Sequence, residues 1–143
     1  MITEKPLLVL DFDGVIIDGI KEYWASSRQT CLNLLSHQEK GNIDLSGEIP
    51  SKFKAMRPWV HHGWEMVILA AECSSKTSHL NLKGVEKFSR NYSAECSLAL
   101  NKWGWTPSQL QEALNQTRRD AISHNFNQWL NSHQPFSSVV QRL

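Results

Sequence analysis

Long apolar runs are missing from this sequence. No stretch approaches the roughly 18 consecutive apolar residues of a membrane-spanning helix, and the lead before Leu7 is too short and polar for a secretory signal. A charge excess is missing too. The formal net charge is +1 and the basic residues are scattered, so bulk electrostatics point away from nucleic acid and from membrane surfaces. Cysteine is scarce: Cys31, Cys73 and Cys96 are odd in number, lie far apart and form no CxxC, which fits a reducing cytoplasm. There is no internal repeat, no low-complexity tract and no Gly-rich nucleotide loop, and no Ser-His-Asp or Cys-His pairing can be placed. Tryptophan is the exception, at six residues. Most are expected in the core or at a lobe interface, because an aromatic nucleic-acid platform would need interleaved Lys and Arg.

What is present begins at Leu7-Leu8-Val9-Leu10-Asp11-Phe12-Asp13-Gly14-Val15-Ile16-Ile17-Asp18. Four apolar residues lead into two carboxylates spaced by one residue, then a glycine. Such a run reads as a strand, about Leu7 to Phe12, buried on both faces as in a parallel sheet. Asp11 and Asp13 then stand at its carboxyl end, where ligands bind in open α/β sheets. Residues i and i+2 of a strand share a face, so both carboxylates address one site. Two neighbouring carboxylates favour a hard cation, and Mg²⁺ is the natural partner. One can attack phosphorus, and the other can protonate a leaving oxygen and then activate water.

The stretch DFDGVIID resembles the first motif, DxDG, of the haloacid dehalogenase-like hydrolases. The resemblance implies that Asp11 is the nucleophile and a Mg²⁺ ligand. It implies that Asp13 is the general acid/base and offers its backbone carbonyl to the metal. The second Asp is the mark of the phosphatases and phosphomutases of that superfamily. Gly14 and Arg57 are the candidate substrate contacts: Gly14 at the turn of the loop, and Arg57 because a guanidinium grips carboxylate or phosphate in a fork.

Downstream the reading is helical. Asp18 is placed to cap a helix that runs to about Leu35. Gln38 to Pro50 is a loop. Ser51 to Cys73 is mainly helical with a break at Pro58 near Arg57, and Cys73 to Lys83 is a Ser/Thr-rich loop. An apolar stripe from Val85 to Trp103 stops at Gly104. Thr106-Pro107-Ser108-Gln109 opens a further helix as a capping box. Arg118, Arg119 and Asp120 read as an exposed face with one salt bridge, and Lys52 and Lys54 as a solvated face beside Arg57. His61 and His62 are adjacent and make a poor metal pair.

One strand and four or five helices leave the strand's backbone unpaired. The resemblance accounts for this order: a Rossmannoid α/β core of which only the first strand is here, and a mainly α-helical cap. The expected division is 1–17 for the strand and nucleophile loop, 18–134 for the cap and 135–143 for the return to the core. The Ser/Thr, Lys and acidic groups of the superfamily's other three motifs have no counterpart in this sequence, so little or no phosphatase activity is expected of this chain alone. The implied function is hydrolysis of a small phosphorylated metabolite through an aspartyl-phosphate. The alternatives are a phosphomutase of the same superfamily and a non-catalytic helical interaction module with a vestigial Asp pair. Uncovered apolar surface would favour the module and would also promote self-association.

Overall fold

The computed structural model describes residues 7–11, 14, 16–40, 45 and 47–142. Among the described residues the chain is predominantly helical, with one sheet of two very short strands. In order, β1 (Ile17–Asp18) is followed by α1 (Ile20–Leu34), α2 (His37–Lys40), α3 (Ser51–Met56), a 3-10 turn (Arg57–Trp59), α4 (Gly63–Ser74) and α5 (His79–Lys83). Then come α6 (Val85–Arg90), α7 (Tyr92–Trp103), α8 (Pro107–His124), α9 (Phe126–Asn131), β2 (Gln134–Pro135) and α10 (Ser137–Val140).

The centre of the molecule is α4. Its run Met66-Val67-Ile68-Leu69-Ala70-Ala71 is apolar around the whole circumference, and all six residues are buried, as expected of a helix surrounded by others. Against it pack α1, whose Cys31 thiol donates to the Val67 carbonyl, and α8, whose Leu114 lies beside Gly63. Each end of α4 carries a buried glutamate. Glu65 accepts from the N–H groups of His61 (2.7 Å) and His62 (3.3 Å) and from the Tyr92 hydroxyl (3.1 Å). Glu72 faces the Trp103 indole N–H (3.4 Å) and Lys102 (3.8 Å). These bonds from His61 and His62 cap the start of α4.

Several local readings hold. Pro58 separates α3 from α4 through the 3-10 turn. Gly104 ends α7 with φ +69°, and the Thr106 hydroxyl accepts from Gln109 N–H at 3.2 Å with Pro107 opening α8. Asp18 works one residue earlier than a formal cap: its Oδ1 accepts from Ile20 N–H at 3.0 Å while Gly19 occupies the cap position.

Other readings are corrected. Leu7 to Asp11 forms no strand, and Leu7, Leu8, Val9 and Leu10 are exposed (86, 71, 79 and 37%). An extended segment becomes a strand only with a neighbour to take its hydrogen bonds, and among the described residues none lies beside it. The Cys73 to Lys83 loop contains α5, capped by the Ser78 hydroxyl, and α2 takes up the first residues of the expected loop from Gln38 to Pro50. Arg118 turns inward, gripping the buried Glu22 with two hydrogen bonds (2.8 and 2.9 Å). Of the six tryptophans, Trp24 and Trp105 are buried, whereas Trp59 is exposed. Among the described residues no helix is long and apolar enough to cross a membrane.

Candidate functional site

Three stretches distant in sequence meet where the helical body begins and ends. Gly14 has φ +75°, a left-handed conformation that suits glycine. Its N–H donates to the Ile17 carbonyl at 2.8 Å, which ties Gly14 to the start of β1. Antiparallel pairing then sets Ile17 opposite Pro135 and Asp18 opposite Gln134. Phe136 N–H adds a bond to the Ile16 carbonyl at 2.8 Å. This clasp carries Phe136 back to the cleft that Gly14 lines.

From the helical body, α3 contributes Lys54 and the turn after it contributes Arg57. Between loop and helix lies an open cleft of about 510 Å³, with Gly14, Asp18, Lys54 and Arg57 supplying its polar lining. Ile20, Tyr23, Pro58 and Phe136 supply its apolar walls. Gly19 also lines the cleft, and a side chain there would stand 2.7 Å from the Tyr23 ring. The missing side chain is what lets the ring lie against the backbone. The Arg57 guanidinium sits 4.8 Å from the centre of that ring, a cation–π contact that orients it.

The electrostatics of the cleft are set by which charges have partners. Lys83, Arg90, Lys102, Arg118 and Arg119 are all ion-paired with glutamates. Neither Lys54 nor Arg57 has a carboxylate within ion-pair distance among the described residues. The Asp18 carboxylate is engaged by Ile20 N–H. Among the described residues the cleft therefore carries two cations and one carboxylate, Asp18, a net positive lining.

Gly14 and Arg57, the candidate substrate contacts, thus share one cleft. Asp11 is exposed, three residues before Gly14. Asp13 lies outside the described residues. The described residues hold no cluster of three or more His, Cys, Asp or Glu side chains suited to a metal. An exposed carboxylate such as Asp11 fits Mg²⁺ in donor chemistry, since that ion commonly binds through one or two carboxylates and keeps several waters.

No protein-family model, curated protein or solved structure matches this chain. Its chemistry must be argued from its own residues. Thiol catalysis finds no support: burial pushes the Cys31, Cys73 and Cys96 thiols up to about 12, and it is the thiolate that reacts. Sequence reasoning missed Tyr23 and Phe136 as cleft walls and read Lys54 as merely solvated. Tyr23 and Lys54 stand one helical step from residues already singled out, but Phe136 reaches the cleft only through the clasp, which no local pattern announces.

Proposed function

We propose that this chain carries the nucleophile loop and the substrate-gripping helical cap of a Mg²⁺-dependent, haloacid dehalogenase-like phosphatase. Its substrate is a small phosphorylated metabolite. The observation that carries the proposal is the cleft itself: Gly14 of the DxDG loop shares it with two cations, Lys54 and Arg57, that have no ion-pair partner among the described residues. The clasp supports the division into 1–17, 18–134 and 135–143, because the helical body leaves and returns at one point, Ile17–Asp18 against Gln134–Pro135. The unbridged cysteines fit a cytoplasmic setting.

In this reading an oxygen of Asp11 attacks phosphorus and the bond to the ester oxygen breaks. Asp13 gives its proton to the departing oxygen. Asp13, now ionised, takes a proton from the water that attacks the aspartyl-phosphate, releasing phosphate and restoring Asp11. Mg²⁺, held by Asp11 and Asp13, would supply neutralising charge near the phosphoryl oxygens. Lys54 and Arg57 hold the substrate, and the helical body forms the wall of the site opposite the nucleophile loop. Without the Ser/Thr, Lys and acidic groups of the other motifs, this chain binds the phosphoryl group but turns it over poorly.

The exposed run Leu7-Leu8-Val9-Leu10 favours one other reading, a helical interaction module for which the Asp pair is vestigial. Beryllofluoride separates the two, because it mimics a phosphoryl group on a carboxylate. The phosphatase reading predicts Mg²⁺-dependent binding, followed by tryptophan fluorescence, that Asp11→Asn abolishes. Absence of binding, or binding indifferent to Asp11→Asn, would overturn it.

A further inference from the structure

The size and lining of the cleft say more about its ligand than that it carries phosphate. At about 510 Å³ it is far larger than a phosphoryl group and lies within the range of ordinary small-molecule sites. Its chemistry is divided. Lys54 and Arg57 supply positive charge, while Ile20, the Tyr23 ring, Pro58 and Phe136 offer carbon surface. Phe136 is part-exposed (36%), so its ring is available to a ligand. The Arg57–Tyr23 contact joins the two halves by placing the cation against an aromatic face.

From this division we infer that the cleft selects phosphate monoesters with an apolar, preferably aromatic, body over sugar phosphates. The inference rests on the phosphatase reading for its phosphate and on the cleft walls for its body. A sugar would bring several hydroxyls against carbon surface and lose their hydrogen bonds to water. A planar apolar body would bury its area against Tyr23 and Phe136 at no such cost. Among the described residues Asp18 is the one carboxylate lining the cleft, and its Oδ1 already accepts from Ile20 N–H, which leaves few acceptors for the several hydroxyls of a sugar.

The test is equilibrium binding of three probes, inorganic phosphate, phenyl phosphate and glucose 6-phosphate, each with Mg²⁺ and followed by calorimetry. Phenyl phosphate is expected to bind about tenfold tighter than glucose 6-phosphate, the affinity equivalent of burying one modest apolar face. Phe136→Ala should remove most of that preference while leaving inorganic phosphate unchanged. Arg57→Gln should weaken all three probes and leave the preference in place. Equal affinity for the two esters, or a preference untouched by Phe136→Ala, would overturn the inference. Asp11→Asn keeps this separate from the proposed function. An aryl preference that persists while Asp11→Asn changes nothing removes the phosphatase reading alone. Mg²⁺-dependent phosphate binding without an aryl preference removes the ligand class alone.

Discussion

Glu95 shows how single residues hold this molecule together. Its carboxylate is buried, and it accepts from Lys83 Nζ and His79 Nδ1, each at 2.6 Å. Burial alone would raise its pKa, but the hydrogen bonds and charge of Lys83 and His79 outweigh burial and hold the carboxyl below its ordinary value of 4.5. Because the folded value lies below the unfolded one, the stabilisation is complete above the unfolded value. It is lost as pH falls through the folded value. Glu65 is lowered as well: burial opposes its ionised form, but the His61 and His62 donors and the Tyr92 hydroxyl prevail. The urea midpoint should therefore be level near neutrality and fall as pH drops below about 4.5. Glu95→Gln should flatten part of that fall. A variant that follows the wild-type curve throughout would show that the Lys83–His79 contact contributes nothing.

Among elements, α1 and α8 are joined by a partly buried ion pair. Glu22 is 3% exposed, accepts a bond from the Ser26 hydroxyl and is gripped in a fork by Arg118, 96 positions away. Arg118→Ala would leave a buried carboxylate without its cation, and about 3 kcal/mol of destabilisation is expected from chemical denaturation. Pairing Glu22→Gln with Arg118→Met should recover most of it, whereas full loss in the double variant would contradict the assignment. The sequence reading put Arg118 on an exposed face, because helical spacing tells nothing of a partner this distant. The features legible from sequence were those fixed within a few residues: Pro58, Gly104, Thr106-Pro107 and the apolar run of α4. The Leu7 to Leu10 run was misread for a physical reason. Four apolar residues signal burial only if a neighbouring element arrives to bury them, and among the described residues none does. The two strands of the clasp are two residues each, too short for any alternating pattern.

For the whole molecule, the consequence of the clasp is that Gly14 shares a cleft with the cations of α3 and its turn. From sequence, Asp11, Gly14 and Arg57 were separate candidates with different arguments. The fold gives two of them, Gly14 and Arg57, a common cleft and adds Lys54, Tyr23 and Phe136 to it. The central claim is that Asp11 is the nucleophile served by this cleft. The most direct measurement is intact-mass and peptide mapping after incubation with Mg²⁺ and acetyl phosphate, a reactive phosphoryl donor that leaves as acetate. The account predicts a single phosphoryl group on the peptide containing Asp11, lost in Asp11→Asn and without added Mg²⁺. No phosphoryl group on the wild type, or one retained after Asp11→Asn, would contradict it.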